Sequence, residues 1–307
     1  MTCKMSEIAI LLLAYGTPEN EKDVEPYLAD IRSGRPASQE FVQELKQRYR
    51  RIGGRSPLLE ITKAQATALA RVLREQGFPT RTYVGMKHWH PYIREVVPEI
   101  LRNGHDTLVA LTLAPHFSIM SIGGYKIALE EALGRDSKMN VTFIESWYDN
   151  PLFHKAVAEK VKNALCTFPS RTNVHVVFTA HSLPERIRET KDPYPAQLNE
   201  SSEAVAKLVG LQEWSIAYQS AGQTGERWLG PDLLEALNEI SVKRENDQVL
   251  VVPIGFVADH LEILFDIDVE AQEYAKKLKI ILKRTESMNT TPAFIAALAD
   301  VVSKRIR

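Results

Sequence analysis

Two stretches of the chain carry residue types that do chemistry. The first is "VVFTAHSLP", from Val176 to Pro184, a β-branched apolar run that stops at a histidine. His181 at that position is either a residue that caps a buried strand or, at the mouth of a pocket, a base or metal ligand. The second is the acidic series Asp259, Glu262, Asp266 and Glu270, spaced 3, 4 and 4, with Asp268 adding charge nearby. Helical spacing of this kind lines carboxylates along one face. A solvated acidic face is the plain alternative. Like charges at i,i+4 destabilise a helix, however, and Val257, Leu261, Leu264 and Phe265 make the surroundings core-like. A row of carboxylates entering a pocket suits a hard divalent cation, as ligands or as a guiding path. His181 and Glu262 then make a natural pair: imidazole with carboxylate binds Fe2+ or Zn2+ and also accepts protons from a substrate.

The elements that must position these residues follow from periodicity. Strand candidates are 8–14, 81–86, 107–113, 141–145, 174–179, 215–219 and 249–254, short and mostly apolar on both faces, as parallel strands covered by helices are. Amphipathic stretches lie between them at 57–76, 151–165, 199–209, 231–240 and 292–306, with Pro151, Pro231 and Pro292 suited to first helical turns. Such alternation predicts an open, doubly wound α/β fold. Four strands precede Trp147 and three follow, which predicts two similar Rossmann-like domains, 1–148 and 149–307. Ligands in such sheets bind beyond the carboxyl ends of the strands. Five of the eight histidines (His88, His90, His116, His181 and His260) fall at these ends, with Tyr15, Trp89, Phe117, Trp228 and Phe256. Aromatic walls with a few polar groups describe a small-molecule pocket.

Composition narrows the classes. The chain has 307 residues, 44% hydrophobic and 25% charged, with a formal net charge of −1, which invites neither nucleic acid nor an acidic-tail reading. The longest apolar run, 8–14, is far short of a membrane span and lacks a signal-peptide pattern, so no membrane anchor and a cytoplasmic location are expected. Cys3 and Cys166 cannot build a four-cysteine zinc site or an iron–sulfur cluster, and a disulfide between them is disfavoured in a reducing compartment. Glycines match neither dinucleotide nor P-loop phosphate cradles, and there is no G-x-S-x-G elbow.

With these residues in view the chain resembles the ferrochelatase family over nearly its whole length. The resemblance is carried by "AHSLP" at Ala180–Pro184, "WLGP" at Trp228–Pro231, "VPIGFVADHLE" at Val252–Glu262, "GMKHWHP" at Gly85–Pro91 and "IGGRSPL" at Ile52–Leu58. It implies two Rossmann-type domains of chelatase type with a porphyrin cleft between them, and a terminal helix, about 291–307, that returns to the first domain. It implies insertion of Fe2+ into a free-base porphyrin, which releases two pyrrole protons. His181 matches the family's metal-binding or proton-accepting histidine and Glu262 its partner. Asp266 and Glu270 match an acidic line proposed to feed metal or remove protons, and are the candidate holders of a regulatory divalent cation. His88 matches a histidine of the cleft rim and Trp228 a tryptophan of its wall. "AYGTP" at Ala14–Pro18 looks like the Gram-positive branch, in which Tyr15 coordinates iron from the face opposite His181 and the substrate is coproporphyrin III. Arg32, Arg48, Tyr49, Ser56 and Tyr125 fall where that branch binds propionates. Arginine forks onto carboxylates and hydroxyls donate single bonds, although Arg32 and Arg48 alone would read as surface helix charges.

No tightly bound cofactor is implied. Porphyrin and Fe2+ are the small-molecule partners, with transient contact to an iron donor and to a decarboxylase that takes the iron-coproporphyrin. After Glu270 the chain departs from related sequences with the charged, helical text of 271–283, and "RTESMNTTPAFI" at 284–295 recovers the pattern. Three other readings stand beside this one: a ferrochelatase acting on protoporphyrin IX, a cobalt or nickel chelatase for a sirohydrochlorin-like tetrapyrrole, and a carrier that binds haem or porphyrin without catalysis.

Overall fold

A computed structural model describes residues 7–170, 173–222, 225–243 and 247–306. The chain falls into two compact units, one running up to Leu152 and resuming at Asn289, the other spanning Phe153–Met288. The change of unit therefore comes in the first turn of a helix, a few residues beyond the joint expected at 148/149.

The first unit contains β1 (Ile8–Ala14), α1 (Val24–Ile31), α2 (Gln39–Arg51), α3 (Leu58–Glu75), β2 (Thr80–Met86), α4 (Ile93–Arg102), β3 (Thr107–Thr112), α5 (Ile122–Leu133) and β4 (Asn140–Ile144). Its four strands are parallel in the order β2-β1-β3-β4. Every side chain of β1 is buried, as a strand covered on both faces requires. The terminal helix, α11 (Pro292–Ile306), packs against α3 and β3 of this unit. Its anchor is Phe294, fully buried with its ring centroid 6.1 Å from that of Trp147, whose indole N–H donates to the Thr112 carbonyl at 2.9 Å. Asn150 Nδ2 donates to Asp300 at 2.7 Å from the same side.

The second unit contains α6 (Pro151–Leu165), β5 (Val174–His181), α7 (Tyr194–Val209), β6 (Trp214–Gln219), α8 (Leu233–Lys243), β7 (Gln248–Val252), α9 (Leu261–Leu264), a π-helical turn (Asp266–Ala271), α10 (Gln272–Leu278) and β8 (Ile281–Arg284). Its strands run parallel in the order β6-β5-β7-β8. Relabelled from its own first strand, this is the 2-1-3-4 order of the first unit. The strand order reverses between β1 and β3 in one sheet and between β5 and β7 in the other, which is where open α/β sheets bind ligands.

Three expectations change. β8 is an eighth strand that periodicity does not reveal, four residues long at the sheet edge and set among lysines. Pro231 does not open a helix: it follows a cis bond from Gly230, and α8 starts at Leu233. The acidic series is not one helical row. Asp259 precedes α9, which lasts a single turn before the π turn, where Glu270 N–H bonds to the Phe265 carbonyl at 2.9 Å. Cys166 is a free, exposed thiol, while Cys3 lies outside the described residues. Among the described residues no helix is long and apolar enough to cross a membrane.

One close approach is set by a glycine beyond β7. A Cβ on Gly255 would sit 2.5 Å from Ala180 Cβ and 2.8 Å from Ala180 Cα, inside any allowed contact and against backbone. Gly255→Ala is expected to destabilise the second unit by about 1–3 kcal/mol, read as a lowered urea midpoint. An unchanged midpoint would contradict this packing.

Candidate functional site

In the second unit the site is assembled at the carboxyl ends of β5, β6 and β7. His181 is the last residue of β5 and pairs in register with Gln219, the last of β6. Ser182 N–H continues that pairing to the Gln219 carbonyl at 2.7 Å, and Tyr194 Oη donates to the His181 carbonyl at 2.8 Å. The "AHSLP" and "WLGP" segments are laced together: Leu229 N–H donates to Leu183 O at 2.8 Å and Ser182 Oγ to Leu229 O at 2.8 Å. This brings the half-buried Trp228 beside His181, with ring centroids 6.4 Å apart.

Glu262 arrives from α9. Its backbone is fixed by Gln219, whose Nε2 donates to the Glu262 carbonyl at 2.7 Å. Its carboxylate lies between two imidazoles, with Oε1 3.8 Å from His181 Nε2 and Oε2 3.7 Å from His260 Nε2. Both rings have a set tautomer. His181 Nδ1–H donates to the Ser182 carbonyl and His260 Nδ1–H to the Ala258 carbonyl at 2.9 Å, so each turns its Nε2 to the carboxylate. The 3.7–3.8 Å separations exceed hydrogen-bond length, so the coupling is electrostatic.

Burial alone would raise the Glu262 pKa. The His181 imidazole, then His260 and Ser220, outweigh it and hold the carboxyl at about 2. Burial would likewise neutralise His260, but the facing Glu262 carboxylate outweighs it and draws the His260 pKa above the usual range. His181, with 38% of its side chain exposed, is the member of the trio open to a ligand.

Asp266 is buried and accepts a hydrogen bond from Ser220 Oγ. Ser220 holds a left-handed φ of 60°, which a non-glycine residue adopts only when its surroundings impose it. Glu270 is half-buried in the π turn. Among the described residues no three His, Cys, Asp or Glu side chains are gathered to hold a metal by themselves.

The first unit carries the remaining residues singled out in the sequence. Tyr15 follows β1, is 41% exposed and lies 4.6 Å from the His88 ring between centroids. Gly16 allows this turn: its φ is +99°, and a Cβ would come 2.8 Å from Trp89 N. His88 Nδ1 bonds to Asp30 Oδ2 at 2.9 Å, yet burial, with Lys87 beside it, keeps the His88 pKa below the ordinary value. Burial also lowers the pKa of Lys87, whose ammonium stands 5.3 Å from the centre of the Tyr125 ring. Arg32 is exposed at the end of α1, and Arg48 is paired with Glu44 at 2.8 Å. Tyr49 and Ser56 are buried; the Tyr49 hydroxyl bonds Thr17 Oγ1 at 2.9 Å, and Ser56 Oγ accepts from Leu58 N–H at 3.3 Å. Of the other rim histidines, His90 is exposed on Glu95, and His116 is buried near Tyr148.

Gln219, Ser220 and His260 do structural work in the site that their sequence positions do not announce. His260 was visible as a strand-end histidine, and its place two residues before Glu262 was the available signal. A hollow of about 480 Å³ lined by His105, Asp106, Arg135 and Lys138 opens at the amino ends of β3 and β4, away from Tyr15 and His88 in that sheet.

The family model described as Ferrochelatase matches residues 7–306. The chain is 42% identical over 303 residues to a ferrochelatase of Herpetosiphon aurantiacus, covering 97% of this chain and 99% of that one. It is 39% identical over 304 residues to a coproporphyrin III ferrochelatase of Bacillus subtilis, covering 98% of each. Among solved structures, SirB from Bacillus subtilis with Fe3+ superposes with a TM-score of 0.60 at 13% identity, over 97% of this chain and 95% of that one, a likeness of fold alone. With sequence match across both units and strand ends that carry the family's motifs, the chain belongs to the ferrochelatase family.

Proposed function

We propose that this protein inserts Fe2+ into coproporphyrin III with loss of two pyrrole protons. The observation that carries the reading is the Glu262 carboxylate set between the Nε2 atoms of His181 and His260, beside Trp228. A carboxylate and an imidazole nitrogen are a suitable donor set for Fe2+ as substrate. His181 also handles protons: with Nδ1–H committed to the Ser182 carbonyl, its one Nε2 lone pair takes the cation or a pyrrole proton in turn. With its pKa near 2, Glu262 remains charged throughout and is a poor proton store. Its role is electrostatic: it attracts the cation and stabilises the imidazolium that forms when His181 Nε2 accepts a pyrrole proton. His181 is exposed enough to pass each proton to water before taking the next.

The choice of coproporphyrin is supported by relatives. Those of Bacillus subtilis and Halalkalibacterium halodurans bear that substrate in their names, whereas the similarly close relatives of Herpetosiphon and Deinococcus radiodurans are named ferrochelatase only. Chemistry in the first unit agrees with a more carboxylated ring. Arg32 is exposed, and the Arg48–Glu44 helix pair is partly exposed, so a propionate can compete for it. Tyr15, an exposed tyrosine, carries a phenol oxygen that suits product iron as a ligand. Tyr49 and Ser56, buried and engaged, serve this reading better by shaping the Arg48 and Gly53–Gly54 region than by meeting propionates themselves. A regulatory cation at Asp266 and Glu270 would need further oxygen ligands or water beside those two carboxylates.

Anaerobic Fe2+ insertion with coproporphyrin III and protoporphyrin IX supplied in parallel tests the substrate. Preference for coproporphyrin is expected; preference for protoporphyrin would overturn that choice, and binding of both without insertion would favour a carrier. His181→Ala should fold and lose roughly 100-fold or more in kcat, whereas turnover near wild type would remove His181 from the mechanism. A third expectation concerns stability. The depressed Glu262 pKa stabilises the fold above its ordinary value of 4.5, and this contribution is lost as pH falls toward about 2. The unfolding free energy of wild type relative to Glu262→Gln should therefore shrink between pH ~5 and pH ~3. A constant difference in urea titrations across that window would contradict the electrostatics.

A further inference from the structure

The segment that presents His260, Glu262 and Asp266 has little intrinsic rigidity. It leaves β7 as a loop, forms the single turn of α9 and continues into the π turn. One helical turn is not stable alone, and π geometry is rare because its hydrogen-bonded rings are wide. It also concentrates charge, with Asp259, Glu262, Asp266, Asp268 and Glu270 falling within 12 residues. Something outside the segment must hold it.

Arg284, the last residue of β8, is placed to do so. Its guanidinium forks onto Asp268, with Nε to Oδ1 at 2.7 Å and Nη2 to Oδ2 at 2.8 Å. The same Nη2 is 3.3 Å from Asp259 Oδ1, and Nη1 donates to the Thr285 carbonyl at 3.0 Å. Ser287 Oγ donates to that Asp259 oxygen at 2.7 Å. The arginine side chain is only 16% exposed, which limits the competition of water for its end of the pairs, while Asp268 meets solvent. Asp259 directly precedes His260, and Asp268 stands two residues beyond Asp266. One cation therefore ties both ends of the stretch that carries the site's groups.

We propose that Arg284 is a positioning residue for metal insertion: by joining Asp259 to Asp268 it holds His260 and Glu262 at their spacing from His181. The inference rests on the proposed role of the His181–Glu262 pair. Arg284 touches none of those three side chains and acts through the backbone between its two acids. A fork is required, since two carboxylates must be held in fixed relation. Lysine at this position would supply the charge as a single point and could not bridge them in the same way.

The test uses Arg284→Lys, Arg284→Gln and Asp268→Asn in the full chain. Asp268 is partly exposed and its asparagine keeps its shape, so this variant removes the charged fork with least risk to folding. All three should lose about 10- to 100-fold in kcat, the scale on which small misplacements act, while KM for porphyrin stays within about twofold. Amide hydrogen exchange across 259–271 should quicken in each, with exchange in the first unit unchanged. A wild-type kcat in Arg284→Lys would show that charge alone suffices and overturn the proposal, as would a lowered melting temperature with unaltered kcat in Asp268→Asn. If the wild-type protein inserts no iron, the functional reading fails. The exchange measurement still decides the tie, and unchanged protection of 259–271 in Arg284→Gln would refute it.

Discussion

A carboxylate kept ionised in a largely enclosed place is the interaction on which the rest of this site depends. Glu262 would ordinarily respond to burial by taking up a proton. It does not, because two imidazoles face it through Nε2 and a serine lies close by. The arrangement works only if both rings present the same nitrogen. Backbone carbonyls of Ser182 and Ala258 ensure this by taking the Nδ1 protons. The division of labour follows: His260 balances the charge from the enclosed side, and His181 meets the ligand from the open side.

The doubly wound topology makes this trio attainable. His181 ends β5, Glu262 belongs to the connection that leaves β7, and β5 and β7 are neighbours at the switch point of their sheet. Gln219 on the other flank of β5 closes the arrangement, with its backbone pairing to the His181–Ser182 turn and its side chain to the Glu262 backbone. Its Oε1 is buried without a hydrogen-bond partner, an uncompensated acceptor that fits the cost functional sites often carry. The first unit repeats the topology and places Tyr15 and His88 at its own strand ends, held by a left-handed glycine and a part-buried histidine–aspartate bond.

Much of this was legible before any coordinates. Most of the seven strands stood out because central strands such as β1 and β7 are covered on both faces and so read as apolar runs. His181 stood out as a histidine that ends such a run, and Glu262 as one of a series of carboxylates at helical spacing in core-like surroundings. What stayed hidden has physical causes. β8 is a four-residue edge strand whose flanking lysines face solvent, so it lacks the apolar run that marked the others. The π turn has no sequence signature that separates it from α-helix, and Asp259 therefore seemed to continue a row that in fact begins after it. Gln219 acts through a backbone carbonyl, and its partner becomes known only once strand register is known. Tyr49 and Ser56 carry suitable hydroxyls, but their burial and local bonds emerge only from packing. Arg284 lay in recognisable family text without a visible partner, because its two acids are distant in sequence.

The central claim is that His181 and Glu262 act as one unit. A double-mutant cycle on single-turnover Fe2+ insertion, followed by loss of porphyrin fluorescence, measures it directly with His181→Ala, Glu262→Gln and the double variant. The account predicts strong non-additivity, the double variant being scarcely slower than either single one, with a coupling free energy above about 1 kcal/mol. Additive losses would mean that the two groups act separately, and would contradict the electrostatic pairing on which the mechanism is built.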